Sequence, residues 1–477
     1  MATSAAPACS RCSALENELE ELRVQNAQLR AQLEKHQKAD ESVAKRKEDK
    51  TTEDLAETLM YSPFSRAELQ RYGRQMLVKE FGVQAQLKLR AASVLLIGVG
   101  GLGSPVAMYL AAMGVGTLAV VDGDHVDRSN LHRQVLHDEQ GAKEREKKVD
   151  SAKRKLRELN PLVRCIAYPT RFTAANALTL VGEYDVVVDA SDNVGTRYLV
   201  NDACSRRNKP LVSGSALGLE GQVTVFTYQE DENATGCYRC LYPTPPRVAM
   251  SCAENGVIGV VPGVIGCLQA MEAIKIVTGV GEPLVGVQCF YDAYDGQFRR
   301  LKISKKRNPD CLSCGKGVLA SEQNWMGSLD ASLLVEGSCR DGKTVDDLGP
   351  EFHINVEEFK KLRENTSEGE TEQRNYNLLD TRAHTQFEMV HFPEAVNIPT
   401  AQLMKQDPAK VIASLHSDTS STCSATKPTF VICRRGVDSV KVTRWLLHSG
   451  IQDVFNVDGG YTEYAKEDGV DPTFPIY

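Results

Sequence analysis

Two apolar runs on either side of a glycine cluster dominate the first half of the chain. Residues 94–97 read Val-Leu-Leu-Ile, four glycines lie within residues 98–103, and a second run, 117–121, ends at Asp122. Short runs of this kind predict strands that are buried on both faces of a parallel sheet. The apolar residues 102–113 between them predict a helix. The pattern is therefore strand, glycine turn, helix and strand, with a carboxylate at the tip of the second strand.

This order of elements is typical of a nucleotide site. Glycines let the backbone approach a phosphate closely, and the helix that follows them points unpaired N–H groups at it. The carboxylate of Asp122 can accept hydrogen bonds from ribose hydroxyls. Residues 91–121 carry no charge and are long enough to cross a membrane. Because Pro105 and the glycines interrupt them, we expect the core of a doubly wound sheet and no membrane span.

A further apolar strand, 185–188, leads to another group of polar side chains. The run D-A-S-D-N-V-G-T-R follows it, with Asp192 near its middle. Open parallel sheets gather ligands at the carboxyl ends of their strands, so we expect this turn beside the glycine turn. Asp192 is then placed to hold Mg²⁺ against a triphosphate. The alternative is a helix N-cap, a position at which Asp and Asn are favoured.

Three cations on separate segments discriminate between two nucleotide chemistries. Arg74 precedes the first strand, and Arg133 follows Asp122 closely. Lys148 begins a basic amphipathic helix that runs to Leu159. Hydride transfer needs one cofactor beside a nicotinamide pocket, whereas attack on a nucleoside triphosphate needs several cations around its phosphates. The cations therefore favour nucleotidyl transfer over an NAD-dependent oxidoreductase.

Two Cys-x-x-Cys pairs predict a metal site. Cys237 and Cys240 form one pair, and Cys311 and Cys314 form the other. Each spacing lets two thiolates share one ion, and the two pairs together complete a tetrahedral four-sulfur zinc site. Such a site is closed, so we expect it to be structural. Two redox-active or unused thiol pairs are the alternative.

Another cysteine lies on a loop that is expected to cross the ligand edge of the sheet. Cys252 follows the proline-rich run Y-P-T-P-P-R, which predicts an irregular crossover. A thiol on such a loop is a candidate for a functional role, whereas a lone thiol is more often buried in a core. Four other cysteines fall in strand or helix patterns and are expected in the core: Cys165, Cys204, Cys267 and Cys289.

The last part of the chain repeats the alternation of strands and helices on a smaller scale. Cys433 follows the apolar strand T-F-V-I and precedes a helix that is predicted over residues 439–448. The turn between them aims backbone N–H groups at the sulfur, while Arg434, Arg435 and the helix dipole favour its anion. Such a thiolate is suited to carry a persulfide.

The amino-terminal arm carries a leucine repeat at alternating spacings of four and three residues. Its positions are Leu15, Leu19, Leu22, Asn26, Leu29 and Leu33. A seam of this kind predicts a two-stranded coiled coil that reinforces a dimer, and a single amphipathic helix is the equal alternative. Cys9 and Cys12 are interpreted as an incidental pair, and residues 38–54 as a charged linker.

Composition limits the partners and the compartment. The chain has 477 residues, which suggests about three units, and its formal net charge is −7. This acidic balance offers no general surface for polyanions, so we expect no direct nucleic-acid partner. The 14 cysteines, without a cleavable signal pattern, indicate a reducing compartment, by default the cytosol.

Five blocks in order resemble the ubiquitin-activating superfamily, in particular its bacterial-type adenylyltransferases for small sulfur-carrier proteins. The blocks are G-x-G-G-x-G, V-D-x-D, S-N-L-x-R-Q, Lys148 and S-D-N. The resemblance implies that ATP and its Mg²⁺ are bound by these residues: Gly101, Asp122, Ser129, Asn130, Leu131, His132, Arg133, Lys148, Asp192 and Asn193. It implies that Arg74 also contacts the phosphates, reaching in from the partner subunit of a homodimer. The same family carries the four-cysteine zinc pattern and a functional thiol at the position of Cys252.

Residues 355–477 resemble a rhodanese domain. The resemblance rests on the L-x-D-x-R strand, the N-I-P turn, the six-residue loop opened by Cys433 and the V-D-G-G run at 457–460. The last loop position is Asp438, where thiosulfate-using members have a cation. Because an acid there should repel a small anionic donor, we expect a protein persulfide rather than thiosulfate as the donor. Asp438 also argues against a phosphatase relative.

The two regions together resemble the eukaryotic two-domain activating enzymes of ubiquitin-like sulfur carriers. The implied reaction is adenylation of the carrier's C-terminal glycine by Mg·ATP, then sulfur transfer from a persulfide on Cys433, with Cys252 releasing the thiocarboxylate. The implied carriers are the small subunit of molybdopterin synthase and the ubiquitin-related modifier of tRNA wobble-uridine thiolation. A cysteine desulfurase is the implied type of persulfide donor. A non-catalytic scaffold with a degenerate nucleotide site is the alternative, which Lys148, Arg133 and Asp192 argue against.

The predicted fold is α/β throughout. We expect a Rossmann-like doubly wound adenylation domain with a structural zinc site, a smaller α/β rhodanese domain and an N-terminal helical arm. The predicted boundaries are 1–54 for the arm and its linker, 55–317 for the adenylyltransferase domain, 318–354 for a second linker and 355–477 for the rhodanese domain.

Overall fold

The computed structural model describes residues 62–230, 233–245, 256–315, 348–365, 375–415 and 427–466, together with Asp471 and Phe474. The chain divides into two compact units, residues 1–337 and 338–477, and each is described by itself. The leucine repeat of the arm, the pair of Cys9 and Cys12, and Cys252 lie outside the described residues.

Ten strands of the first unit fall within the described residues. They are β1 (Ser93–Ile97), β2 (Thr117–Val121), β3 (Arg164–Tyr168), β4 (Val186–Asp189), β5 (Leu211–Leu217), β6 (Glu220–Phe226), β7 (Gln229–Glu230), β8 (Asn233–Ala234), β9 (Val287–Asp292) and β10 (Gln297–Lys302). Eight of them form one sheet in the order β10-β9-β6-β5-β4-β1-β2-β3, while β7 and β8 form a separate hairpin. The run from β5 through β4, β1 and β2 to β3 is parallel, and β6, β9 and β10 add antiparallel strands at one side.

Helices cover both faces of this sheet. They are α1 (Arg66–Met76), α2 (Gly82–Ala91), α3 (Gly103–Ala112), α4 (Glu139–Lys143), α5 (Lys148–Leu159), α6 (Ala174–Gly182), α7 (Val194–Arg207), α8 (Tyr238–Leu241) and α9 (Val260–Thr278). Alternate residues of β1 point to opposite layers, as the period of a strand requires. Val94 and Leu96 pack in the layer of α3, α5 and α9, whereas Leu95 and Ile97 pack in the layer of α6 and α7. The doubly wound sheet predicted from the apolar runs is confirmed.

The uncharged stretch 91–121 forms β1, α3 and β2 inside this core, as expected. Among the described residues, α9 alone has the length and apolar composition of a membrane-spanning helix, and half of its most apolar window is buried inside the unit. Ile265, Ala270 and Ile274 of α9 belong to the same core as β1 and α3. A core helix therefore accounts for its composition.

One expectation for this unit, the burial of Cys267, is wrong. The first two helices are separate: α1 ends at Met76 and α2 begins at Gly82, which has a φ of +60°. The left-handed backbone at Gly82 permits the turn between the helices. Cys267 was expected in the core, but it is exposed, because it lies on the side of α9 opposite its buried residues.

The second unit is a smaller parallel sheet flanked by helices. Its strands are β11 (His353–Ile354), β12 (Asn377–Asp380), β13 (Ala395–Asn397), β14 (Thr429–Ile432) and β15 (Val454–Val457), in the order β11-β15-β14-β12-β13. Its helices are α10 (Val356–Asn365), α11 (His384–Met389), α12 (Thr400–Leu403), α13 (Pro408–Leu415), α14 (Val437–His448) and α15 (Gly460–Tyr464). Buried aromatic side chains, among them Phe359, Phe392 and Phe430, fill one side of the sheet.

Candidate nucleotide, sulfur and metal sites

The glycine turn and the turn after β4 meet at the carboxyl edge of the first sheet. Gly98 has a φ of +85°, and a Cβ added there would lie 2.9 Å from the carbonyl oxygen of Ala190. The N–H of Val99, in the middle of the turn, donates to the carboxylate of Asp122 at 3.0 Å. The second oxygen of Asp122 accepts from the N–H of Asp124 at 2.9 Å. Asp122 is thus held at the tip of β2, beside the turn.

The segment after β2 brings Arg133 to the same place. Asp127 caps a short 3-10 helix (Arg128–Asn130) by accepting from the N–H of Ser129 at 2.8 Å, and the Ser129 hydroxyl helps to hold the pKa of Asp127 below its usual range. The Arg133 guanidinium donates to the side-chain oxygen of Asn130 at 2.5 Å. A Cβ added to Gly101 would lie 3.3 Å from Cγ of Arg133, so this side chain passes along the glycine turn.

The remaining residues of this segment surround the arginine. Nδ1 of His132 lies 3.0 Å from the carbonyl oxygen of Ser129, and its Nε2 lies 3.3 Å from the guanidinium of Arg133. His132 is exposed and Leu131 is half-buried. A Cβ on Gly259 would lie 2.3 Å from the His132 carbonyl oxygen, so the start of α9 packs directly against this segment.

Lys148 is a buried cation at the start of α5. It is only 6% exposed, and its Nζ lies 3.2 Å from a carboxylate oxygen of Asp124. Its own backbone N–H donates to the Asp124 carbonyl oxygen at 3.0 Å. Because Asp124 is also fixed by Asp122, the acid of β2 and the cation of α5 belong to one connected group. The sequence pattern indicates no role for Asp124 beyond its place in the V-D-x-D block.

In the turn after β4, Asn193 caps a helix and the neighbouring Asp192 does not. The side-chain oxygen of Asn193 accepts from the N–H of Thr196 at 2.7 Å and caps α7. Asp192 is exposed and makes no hydrogen bond or ion pair to another described residue. The capping role considered for Asp192 therefore belongs to Asn193, and the Asp192 carboxylate keeps its oxygens available to a ligand.

Arg74 is the one predicted nucleotide ligand that its own chain does not bring to this edge. Tyr72 lies directly over Gly114, and its hydroxyl accepts from Asn160 at 2.8 Å. Gln75 donates to the Met113 carbonyl oxygen at 2.9 Å. These contacts place α1 where β2 and β3 begin. A five-residue strand separates the two edges by roughly 15 Å.

The sulfur atoms of the four cysteines that are predicted to bind a metal lie close together. All four Sγ atoms lie within 4.8 Å of one another, and three of the separations are 3.3, 3.6 and 3.9 Å. Zinc bound by four thiolates at 2.3 Å needs sulfur atoms about 3.8 Å apart. Hydrogen bonding with Cys237, and to a smaller extent with Cys314, lowers the pKa of Cys240 to about 6 against the opposing effect of Cys311. The cluster can therefore hold a tetrahedral metal ion.

Helix α7 clamps both halves of this cluster. The side-chain oxygen of Asn201 accepts from the N–H of Tyr238 at 2.7 Å, and its amide nitrogen donates to the hydroxyl of Ser313 at 3.3 Å. Arg239, between the first two cysteines, forms a buried pair with Asp202 at 2.8 Å. The same helix begins at Val194, and its N-cap residue Asn193 lies in the turn after β4.

The thiol of Cys433 lies at the carboxyl end of β14, in a loop that supplies hydrogen-bond donors. The residue is 4% exposed. The N–H of Gly436 donates to the sulfur at 3.1 Å, and the Ser439 hydroxyl lies 3.2 Å from it. Ser439 is in the first turn of α14, so the helix dipole adds to their effect. These groups are suited to stabilise an anionic sulfur.

The V-D-G-G run supports this loop from below. A Cβ on Gly460 would lie 2.1 Å from the Cys433 carbonyl oxygen, and that oxygen accepts from the N–H of Tyr461 at 3.1 Å. Gly460 has a φ of +56°, which favours glycine. Asp438 points outward and pairs with Lys441 at 2.9 Å, with both side chains 54% exposed. The V-D-G-G run therefore packs against the backbone of the loop, and the last loop residue, Asp438, lies on its outer side.

Comparison with known proteins gives a family match for each of the two units. The ThiF family model matches residues 72–313, and the rhodanese-like domain model matches residues 357–467. Adenylyltransferase and sulfurtransferase MOCS3-1 of Zea mays is 42% identical over 85% of this chain and 83% of its own length. MOCS3 of Sus scrofa is 42% identical over 87% of this chain and 88% of its own. MOCS3 of Drosophila ananassae is 37% identical over 97% of this chain and 99% of its own length.

The chain belongs to the MOCS3 family of adenylyltransferases and sulfurtransferases. The predicted family, the fold class and the enzymatic nature of the chain are confirmed. Adenylation by a ThiF domain implies the use of ATP.

Besides Asp124, three residues that sequence reasoning missed contact the candidate sites. His137 lies under the glycine turn, Asn201 clamps the cysteine cluster, and Ser439 contacts the sulfur of Cys433. Ser439 had a usable signal, since residues of the first turn of a helix face a loop that precedes it. The partners of His137 and Asn201 are distant in sequence, and no local pattern indicates them.

Proposed function

We propose that this enzyme adenylates the C-terminal glycine of a ubiquitin-like sulfur carrier and converts it to a thiocarboxylate. The observation that carries the proposal is the pairing of two sites within one chain. The first unit gathers Arg133 and Lys148 at a glycine turn, and the second presents Cys433 in a loop of hydrogen-bond donors. A phosphate-binding edge suits activation of a carboxylate, and an anion-stabilising thiol suits delivery of sulfur.

The groups at the carboxyl edge suit binding of ATP with its phosphates toward the cations. Asp122 would accept from the ribose, while the glycine turn at Gly101 would pass beside the phosphates. Arg133 and Lys148 would neutralise the phosphate charge. Mg²⁺ would be held by Asp192, whose exposed carboxylate is the kind of ligand that this ion prefers, and it would add positive charge at the phosphates.

Adenylation makes a poor leaving group into a good one. A carboxylate oxygen of the carrier's last glycine attacks the α-phosphorus, the bond to the bridging oxygen breaks, and pyrophosphate leaves. Negative charge grows on the phosphate oxygens as this happens. Buried Lys148 and partly buried Arg133 stabilise that charge more strongly than solvated cations would.

Sulfur transfer then uses a persulfide on Cys433. Its terminal sulfur attacks the acyl adenylate, AMP leaves, and an acyl disulfide joins the carrier to the enzyme. Gly436 and Ser439 stabilise the anion of the sulfur in the loop. The last loop position holds an acid, Asp438, and its pairing with Lys441 leaves no net positive charge there for a small anionic donor, so we assign the supply of persulfide to a protein such as a cysteine desulfurase.

Release of the product requires a second thiol, and we assign this role to Cys252. Its thiolate attacks the Cys433 sulfur, the carrier leaves as the thiocarboxylate, and a disulfide between Cys252 and Cys433 remains. Two molecules of a cellular thiol, or one dithiol, then reduce that disulfide, restore both cysteines and leave as the oxidised disulfide.

A homodimer completes the nucleotide site in this account. The helix that carries Arg74 lies at the opposite edge of its own sheet, so Arg74 would reach ATP only from the partner subunit. The four-cysteine cluster would bind zinc and act structurally, because four sulfurs leave no open position for a reactant. We propose the small subunit of molybdopterin synthase and the ubiquitin-related modifier of tRNA thiolation as carriers, and the cytosol as the location.

Carrier-dependent exchange of labelled pyrophosphate into ATP tests the proposal. We expect exchange with a carrier that ends in Gly-Gly and no exchange when the last glycine is deleted. Exchange that is absent with every carrier, although the enzyme binds ATP, would refute the proposal.

A further inference from the structure

His137 is a buried polar residue beneath the glycine turn, and nothing above assigns it a role. It lies between β2 and α4 and is 7% exposed. Its Nε2 lies 3.0 Å from the carbonyl oxygen of Val99, in the glycine turn. Its Nδ1 lies 3.1 Å from the hydroxyl of Ser151, in α5. The ring therefore spans the gap between the turn and the helix that begins with Lys148.

The two contacts determine which ring nitrogen carries the proton. A carbonyl oxygen can only accept, so Nε2 must donate to Val99. In the neutral ring Nδ1 is then an acceptor, and the Ser151 hydroxyl donates to it. Both ring nitrogens and both partners are satisfied in this neutral tautomer, as buried polar groups require.

Val99 extends the connection to the acid of β2. Its carbonyl oxygen accepts from His137, while its N–H donates to Asp122 at 3.0 Å. On the other side, Ser151 lies one turn after Lys148 on α5. One imidazole thus joins the glycine turn, the predicted ribose ligand and the helix of the buried cation.

The charged groups around His137 favour its neutral state. Burial lowers the pKa of His137, and Lys148 of α5 lowers it further. The Val99 carbonyl, Asp122 at the end of β2 and Glu146 before α5 act in the opposite direction, and the net shift is downward. A second proton would place a cation beside Lys148 and turn Nδ1 into a donor facing the Ser151 hydroxyl.

We propose that His137 is a positioning residue for ATP. Its neutral side chain, hydrogen-bonded to Val99 and Ser151, holds the glycine turn in place relative to Asp122 and Lys148. The proposal rests on the assignment of the nucleotide site made above. His137 does not contact the carrier or the reacting atoms in this role. Its loss should therefore weaken ATP binding and leave the maximal rate and the carrier's KM nearly unchanged.

Two substitutions separate positioning from folding. His137→Ala removes both contacts and leaves the Val99 carbonyl without its donor, which should weaken ATP binding roughly tenfold. His137→Gln keeps a side-chain N–H that can reach the same carbonyl, so affinity within about threefold of the wild type is expected. Thr278→Val is the matched control: it removes a buried hydroxyl bonded to Ile274 at 2.7 Å, at the far end of α9.

Calorimetric titration of the full-length enzyme with ATP and Mg²⁺, from pH 5 to pH 8 and without carrier, is the decisive test. Wild-type affinity should fall at pH values below the lowered pKa of His137, which lies under its ordinary value of 6.5, and His137→Gln should lack this additional fall. Protonation of ATP itself affects both proteins equally, so it cancels when their affinities are compared at each pH. Equal affinities of wild type and His137→Ala, or an equal loss in Thr278→Val, would overturn the proposal.

The outcome is independent of the carrier reaction. If wild type binds ATP but adenylates no carrier, the proposed function fails and the role of His137 can still be measured. If carrier adenylation occurs and His137→Ala binds ATP as wild type does, the positioning role alone is refuted.

Discussion

Lys148 and Cys433 both lie at the carboxyl edge of a parallel sheet, but their surroundings are assembled differently. Around Lys148, the candidate ligands come from separate segments that span residues 98–193. Around Cys433, one loop and the first turn of α14 supply the hydrogen-bond partners Gly436 and Ser439. A dispersed site divides charge stabilisation among several groups, whereas the compact site depends on one atom. A single substitution should therefore cause a partial loss of activity at the first site and a complete loss at the second.

The largest effect is expected at the compact site. Cys433→Ser should lower formation of carrier thiocarboxylate by about 10³-fold or more, because a hydroxyl cannot carry the persulfide sulfur. Carrier-dependent pyrophosphate exchange should stay within about twofold of wild type. Mass spectrometry of the carrier and the exchange assay measure the two activities, with Cys267→Ser as an exposed-cysteine control. Equal loss of both activities would refute the division between the two units.

A smaller effect is expected from one cation of the dispersed site. Lys148→Ala should lower the exchange rate by about 10²- to 10³-fold, because it removes the buried charge that we propose binds the phosphates. Loading of Cys433 by a persulfide donor should not change. Lys143→Ala, at an exposed lysine of α4, should leave both activities near wild type. A comparable loss in both lysine variants would show that the buried position of Lys148 is unimportant.

Removal of the metal should affect stability rather than one chemical step. Cys311→Ser should abolish stoichiometric zinc binding and destabilise the first unit by several kcal/mol, since metal binding contributes directly to folding. Thermal unfolding and elemental analysis would detect the loss, with Cys267→Ser again as control. Persulfide loading of Cys433 should persist. Full zinc content in Cys311→Ser would contradict the four-sulfur site.

The smallest effect concerns pH. Because the pKa of His137 is lowered in the folded protein, the unfolded chain binds more protons below pH 6.5, and the folded state loses stability there as pH falls. Above that pH the contribution is constant. The melting temperature of wild type should therefore fall more steeply than that of His137→Gln on acidification below pH 6.5. Parallel melting curves for the two proteins would contradict this sign.

Local patterns were sufficient for the elements that carry the sites. The predicted strand 117–121 and the predicted helix from Lys148 to Leu159 have the bounds of β2 and α5. A continuous apolar run and an amphipathic period are properties of the segment itself, so they can be interpreted without tertiary contacts. The four-cysteine site could also be predicted from the sequence, because ligand type and spacing indicate a metal site without knowledge of the fold.

Long-range contacts could not be predicted in this way. His137 is 38 residues from Val99, and Asn201 is 112 residues from Ser313. The choice between Asp192 and Asn193 as a helix cap also required the structure, because both residue types favour that position. Arg74 shows the same limit: its position in the chain did not reveal that α1 lies at the edge opposite the glycine turn.

The central claim is that one chain first activates a carrier with AMP and then gives it sulfur. Intact-mass analysis of a Gly-Gly carrier, incubated with the enzyme, Mg²⁺ and ATP, and then with a persulfide donor, tests it most directly. The account predicts a carrier adenylate before the donor is added and a carrier thiocarboxylate afterwards. A carrier whose mass is unchanged at both stages would contradict the account.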